Sequence, residues 1–151
     1  MLDLQHISYD PETGAFSRKN GKKFGSRMPR GYLVGKIRGK TYYLHRLAWL
    51  YVYGRWPQNE IDHINGIKDD NRICNLREAS RSQNLVNKGP QRNNKNGLKG
   101  VHWNVRQRKW KVSLSFNKRR INLGSFKNLE DAVEAYKIAA VQYHGEFARA
   151  A

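Results

Sequence analysis

Ile61–Asn84 reads I-D-H-I-N-G-I-K-D-D-N-R-I-C-N-L-R-E-A-S-R-S-Q-N, and the reading of the chain turns on this stretch. Asp62 and His63 stand side by side, Asn75 follows His63 by twelve residues, and Asn84 follows Asn75 by nine. Ile61–Ile64 is expected to be a short strand. Asn65-Gly66 is a strong turn signal because both residues tolerate left-handed backbone. A second extended run is expected around Leu76–Ala79, leading into S-R-S-Q, where Ser80 and Gln83 have the spacing of a capping box. A helix carrying Asn84 should start there. A carboxylate to hold a divalent cation, an imidazole to take a proton from water, and amides to ligate or orient are what phosphodiester hydrolysis needs.

The pattern resembles the HNH nuclease motif in the form whose final histidine is replaced by asparagine, typical of phage and intron-associated homing endonucleases. H-R-L-A-W (His45–Trp49) and D-N-R-I-C-N-L-R (Asp70–Arg77) are similar to the same subgroup. The resemblance implies a ββα-metal core and cleavage leaving 5′-phosphate and 3′-hydroxyl ends. In this reading His63 is the general base, since a neutral imidazole accepts a proton at cellular pH. Asn75 accepts the other ring N–H and fixes the tautomer. Asp62 and the Asn84 side-chain oxygen hold one Mg²⁺ or Mn²⁺, as all-oxygen ligation suits. His45 is read either as a packed histidine at a helix start or as an active-site contact. Arg46, Arg72, Arg77 and Arg81 are read as phosphate contacts or as solvated side chains. Trp49 and Trp56 are expected in the core, and His6 and His144 as structural or solvated.

The 151 residues carry a formal charge of +17, unevenly spread. Residues 1–44 have nine Lys/Arg against three Asp/Glu, residues 45–84 six against five, and residues 85–151 fourteen against four. A nearly neutral centre between basic flanks fits acids that bind metal within a surface attracting a polyanion. Cys74 is the single cysteine, which excludes a disulfide framework and a paired-cysteine zinc knuckle. No basic region followed by an apolar run opens the chain, so no signal peptide is expected. No run approaches the roughly 18 apolar residues of a membrane span. A soluble, intracellular protein is the expectation, in the host cytoplasm if phage-encoded.

Before the motif, Tyr9–Gly14 reads as a turn, and Gly31–Arg38 with Lys40–Leu44 as a hairpin about Gly39. His45–Tyr53 reads as a helix with Leu47, Leu50 and Tyr51 inward and Gly54 as its stop. After it, Asn87–Gly97 has no apolar residue and reads as a linker whose Lys88, Arg92 and Lys95 would follow a phosphate backbone. Trp110, Val112, Leu114 and Phe116 then alternate with polar residues as in a half-buried strand, and Arg120–Leu123 alternates in the next. A helix is expected from Leu129, with Asn128 as N-cap, an alanine-rich inner stripe and Gly145 as its end.

From Lys99 to about Ala148 this segment (Gly100-Val101, W-K-V-S-L, L-G-S-F, E-D-A-V-E-A-Y, H-G-E-F-A) is similar to the Apetala-type, or ethylene-response-factor, DNA-binding domain. That family's sheet enters the major groove, which implies Lys99, His102, Lys111, Ser113, Ser115, Arg120 and Asn122 as outward-facing contacts; Arg106 and Arg108 join the expected DNA-binding set. Ser113 and Ser115 replace the family's charged pair, and Asn122 its tryptophan, so target preference does not carry over.

The expected fold is α+β: a ββα-metal HNH core with N-terminal β hairpins, then a three-stranded antiparallel sheet packed on one helix. The expected domains are a nuclease over 1–86 with its core at 59–86, a linker at 87–98 and a DNA-binding domain at 99–151. Double-stranded DNA is the expected partner, with no membrane or protein partner evident and a monomer favoured over a dimer. The rival readings are a non-cutting DNA-binding regulator and a structured-RNA binder. A sheet reader of this shape suits the B-form major groove better than the narrow A-form one.

Overall fold

The turn at Asp10–Gly14 anchors the N-terminal end. The Asp10 carboxylate accepts from the Glu12 N–H (2.9 Å) and the Thr13 hydroxyl (2.7 Å), while the Gly14 N–H donates to the Asp10 carbonyl (2.8 Å). Asp supplies such local acceptors readily, which is why it opens turns. The turn joins antiparallel strands β1 (Ile7–Tyr9) and β2 (Phe16–Arg18). The structure is a computed structural model describing residues 4–89, 94 and 97–148. The chain divides into two compact units, Met1–Asn84 and Leu85–Ala151. The architecture is α+β, with small antiparallel sheets and three α-helices among the described residues.

In the first unit β3 (Ser26–Arg27), β4 (Leu33–Ile37) and β5 (Lys40–Tyr43) form a sheet in that order. Arg38 and Gly39 both have positive φ (46° and 80°), the backbone of a two-residue hairpin turn. Helix α1 (Leu44–Tyr53) follows directly, and the Gly54 N–H closes it onto the Leu50 carbonyl (2.9 Å). Its buried face is Leu44, Leu47 and Ala48, together with His45 and Trp49. Of the expected inward stripe Leu47 is fully buried, whereas Leu50 is half-buried and Tyr51 is exposed with its ring against Tyr9. Leu47 and Ala48 pack with Ile7, Phe16, Phe24 and Ile37 and with Ile61 and Leu76 of the next element. Each fully buried leucine contributes roughly 1.5–3 kcal/mol. Trp56 is not in this core; it is substantially exposed and stacks on Tyr42.

Strands β6 (Glu60–His63) and β7 (Leu76–Ala79) pair antiparallel, and α2 (Arg81–Asn87) follows. The Ser80 N–H donates to Gln83 Oε1 (2.8 Å) and the Gln83 N–H to Ser80 Oγ (3.3 Å), a complete capping box. Asn87, expected to open the linker, instead ends α2 and is buried. Arg92 and Lys95, expected to track phosphate, lie outside the described residues.

In the second unit β8 (Val101–Asn104), β9 (Lys109–Phe116) and β10 (Arg119–Phe126) form an antiparallel sheet with β9 central. Helix α3 (Leu129–His144) packs on it through Ala132, Tyr136 and Ala140 against Val101, Val112 and Leu114. Asn128 is the N-cap residue, and its side-chain N–H donates to Asp131 (3.3 Å) rather than capping a backbone group.

Gly14 has φ 72°, and a Cβ there would lie 2.5 Å from the Arg72 nitrogen and 2.6 Å from the Asn71 carbonyl carbon. Gly21 also has positive φ (77°) but faces nothing within 4 Å. Gly14→Ala should therefore lose about 1–3 kcal/mol more than Gly21→Ala, the overpacking cost beyond the shared backbone strain. Urea unfolding of both variants checks this, and equal losses would contradict the close approach.

Candidate active site

The β6–β7 register pairs Glu60 with Ala79, Ile61 with Glu78, Asp62 with Arg77 and His63 with Leu76. Side chains alternate along a strand, so Asp62 and His63, though adjacent, leave on opposite faces. Glu60, Asp62 and Arg77 share one of those faces.

On that face Asp62 is 4% exposed, and its Oδ2 accepts from Arg77 Nε (3.0 Å) and Nη2 (2.8 Å). Asn84, on the first turns of α2, donates its amide N–H to Glu60 Oε2 (2.6 Å). Glu60 was missed from the sequence, although the Glu60–Ile61–Asp62 alternation on a strand leading to His63 was a usable signal. Among the described residues no group of three or more His, Cys, Asp or Glu side chains is disposed to hold a metal ion. The donors on this face are the Asp62 and Glu60 carboxylates and the Asn84 amide. They are hard oxygens in small number, which fits Mg²⁺ or Mn²⁺, ions that keep waters and substrate phosphates as their remaining ligands.

On the other face His63 is 5% exposed, walled by Tyr32 (ring centroids 6.0 Å) and meeting His45 edge-on (5.1 Å). Its Nε2 lies 3.2 Å from Asn71 Oδ1. Burial pushes the His63 pKa down, opposed in part by the Asn71 bond and the charges of Asp62, Asp70 and Asp69. Asn71 is itself buried, and its carbonyl accepts from the Tyr9 hydroxyl (2.8 Å). Asn71 Nδ2 and His45 Nδ1 are buried without a protein hydrogen-bond partner among the described residues. Two such orphans beside one histidine are unusual in a native interior.

Asn75 does not hold the ring. Its Oδ1 accepts from the Asn65 N–H (3.0 Å) and its Nδ2 donates to the Asp70 carbonyl (2.8 Å), clipping together the two ends of the 64–75 loop. The contact expected between Asn75 and the ring is made by Asn71 instead. A short 3₁₀ turn at Ile73–Asn75 directs the Asn75 amide back along the loop rather than toward the ring. Within the loop Asp70 accepts from Asn65 Nδ2 (2.7 Å) and from Arg72 Nη2 (2.6 Å), and these partners, led by the Arg72 guanidinium, hold its carboxyl down to about 2. The arginines read as phosphate contacts or as solvated side chains are largely committed within the fold. Arg46 donates to the Asn59 and Pro57 carbonyls, Arg72 to Asp70 and Arg77 to Asp62, while Arg81 is exposed.

In the second unit β9–β10 pairing sets Arg120 opposite Ser115 and Asn122 opposite Ser113, and β8–β9 pairing sets His102 opposite Lys111. These six therefore share the face away from α3, and Arg120 Nε donates to Ser113 Oγ (3.0 Å). A register shift follows Asn122, whose side chain accepts from the Gly124 N–H (3.1 Å). Arg106 and Arg108 are exposed in the β8–β9 connection. Lys99 departs from expectation: its ammonium donates to the carbonyls of Val86 and Lys88, the latter at 2.9 Å, and so closes the end of α2.

Comparison with known proteins matches residues 42–86 to a family model described as HNH endonuclease. That span runs from the end of β5 through α1 and the β6–β7 pair into α2. Protein 3.8 of Escherichia phage T7 is 30% identical over 106 residues, covering 70% of this chain and 87% of that protein. A protein of Acanthamoeba polyphaga mimivirus, titled uncharacterized HNH endonuclease L560, is 31% identical over 125 residues. That match covers 82% of this chain and 62% of the mimivirus protein.

His45 resolves toward the packed alternative while remaining in contact with the site. Burial, reinforced by the charges of His63 and Arg46, lowers its pKa from 6.5 to about 3. The folded value lies below the unfolded one, so proton uptake favours the unfolded chain. Stability from this residue is full above about pH 6.5 and is lost as the pH falls toward 3. Between pH 7 and pH 5 the loss should be about 2 kcal/mol. His45→Phe keeps an aromatic ring and should flatten the stability profile over that interval by this amount; an unchanged slope in urea titrations would refute it.

Proposed function

We propose that the chain, whose residues 42–86 match the HNH endonuclease family, is a divalent-metal-dependent nuclease. It hydrolyses phosphodiester bonds of double-stranded DNA in the manner of phage-type homing endonucleases, and its second unit recognises the DNA. The observation carrying this reading is the division of one strand: a buried imidazole on one face and a cluster of hard oxygens on the other, one residue apart.

In the reaction His63 takes the proton from the attacking water. Asn71 Oδ1 can only accept, so the ring proton resides on Nε2 and the lone pair on Nδ1. Burial disfavours the imidazolium, which favours a neutral ring with a lone pair able to accept a proton. Asn71 is thus a positioning residue, steadied by Tyr9, and Asn75 keeps the loop that carries it closed. Asp62 and Asn84, with Glu60 beside them, would hold one Mg²⁺ or Mn²⁺. When bound, such an ion stabilises charge on the pentavalent phosphorus and the departing 3′ oxygen.

Recognition is assigned to the polar face of the second sheet, formed by His102, Lys111, Ser113, Ser115, Arg120 and Asn122, with Arg106 and Arg108 on phosphate. The unit's excess of basic residues supports this, as does the open polar face that its three-stranded sheet presents away from α3.

Plasmid nicking with and without Mg²⁺ tests the proposal. His63→Ala should reduce the rate by roughly 10²–10⁴ while leaving DNA affinity unchanged. Asn71→Ala should reduce it by about 10–100-fold, as loss of an orienting partner does. Metal-independent cutting, or full activity without His63, would defeat the mechanism. A protein that binds DNA and never cuts it would instead be the regulator.

Arg120→Ala should narrow discrimination between specific and scrambled duplexes by about 1–3 kcal/mol, the value of a base-edge contact. Lys118→Ala, at the neighbouring turn, should leave discrimination intact and lower the log–log salt slope by about 0.9, as for one lost phosphate contact. Gel-shift titrations at two salt concentrations separate the two behaviours; equal weakening of Arg120→Ala on every sequence would assign that residue to phosphate.

A further inference from the structure

We infer that Arg77 is a positioning residue that makes metal loading conditional on DNA, by neutralising the Asp62 carboxylate until a phosphodiester arrives. The inference rests on the nuclease reading above, in which Asp62 is a metal ligand. Asp62 and Arg77 are directly opposed in the β6–β7 ladder, so their pairing belongs to the rigid hairpin rather than to a mobile loop. Both side chains are largely buried, at 5% and 13% exposure. A buried carboxylate without a partner is strongly disfavoured, and Arg77 meets that need through Nε and Nη2, both on Oδ2.

The same pairing alters what a cation encounters. The charges of Asp62 and Arg77 cancel, and Glu60, held by Asn84, supplies the remaining negative charge on this face. A divalent ion on Asp62 would lie within a few ångströms of a fixed guanidinium, whose repulsion is weakly screened in a buried site. A phosphodiester adds the missing negative charge and gives the guanidinium a second anion to engage. Metal and DNA should therefore bind with positive coupling, and coupling between two ligands is reciprocal. Between substrates the protein would stay largely metal-free, with Asp62 already held in place.

The test measures Mn²⁺ binding by electron paramagnetic resonance on the full chain, alone and with a short phosphorothioate duplex. Asp62→Asn provides the baseline for Mn²⁺ held by the DNA itself. Wild-type protein should bind Mn²⁺ at least about tenfold more tightly with the duplex than without, a modest coupling by the usual scale. Arg77→Met should bind Mn²⁺ about tenfold or more tightly without DNA and lose most of the coupling, whereas Arg77→Lys, which keeps the charge, should behave like the wild type. Unchanged or weaker binding by a folded Arg77→Met variant overturns the inference. If that variant does not fold, absence of coupling in the wild type overturns it as well. Mn²⁺ binding that is the same in Asp62→Asn, with and without DNA, would instead defeat the metal assignment underneath.

Discussion

The site depends on one closure. Strands β6 and β7 make four residue pairs across a connection of twelve residues, 64–75, and such a connection has chain entropy to overcome before any pair forms. Asn75, at the far end of the loop, provides the constraint by bonding the Asn65 N–H at the near end and the Asp70 carbonyl in the middle. The Ile64 N–H adds a backbone bond to the Asn75 carbonyl (2.9 Å), and the Gly66 N–H one to His63 (2.8 Å). Once the loop is closed, Asn71 is brought against His63, and the ladder that follows sets Arg77 opposite Asp62. His63, its Asn71 partner and the Asp62 carboxylate all take their places from the same closed loop.

Much of this was legible because local chemistry and global fold agree. The Ser80–Gln83 box, the stop at Gly54, the hairpin at Arg38-Gly39 and the alternation in β9 each arise from interactions spanning a few residues. The exchange of Asn71 for Asn75 was not legible, and the reason is long-range. Asn71 is buried by the turn at Gly14 and bonded by Tyr9, both about sixty residues away in the chain. Spacing reports which residues belong to a motif, but which of two nearby amides faces the ring depends on what packs behind them. Lys99 failed for a similar reason: a long, flexible side chain goes to whichever carbonyls are close, here those ending α2. The two-residue strand β3 is too short to show any period.

The central segment's near-neutrality takes on a structural meaning. Asp70 pairs with Arg72, Glu78 with Arg55 and Asp62 with Arg77, so acids and bases of this segment largely answer one another. The first two pairs are more exposed than the third and belong to the loop and to the approach to β6. Exposed pairs contribute about 0–1 kcal/mol, so their value lies in fixing geometry: Glu78 also accepts from the Gln58 N–H (2.9 Å), which tethers the segment entering β6.

The buried Asp62–Arg77 pair differs in kind. Replacing such a pair with apolar residues is often neutral or stabilising, so stability alone is a weak reason for its presence. Its position supplies a stronger one. It lies on the face that Glu60 and Asn84 share, one residue from His63, where Arg77 fixes the orientation of the buried Asp62 side chain. Tyr32, His45 and Asn71 meanwhile pack around the ring on the opposite face. Strand alternation keeps the two environments apart, so the imidazole can be desolvated without desolvating the oxygens further.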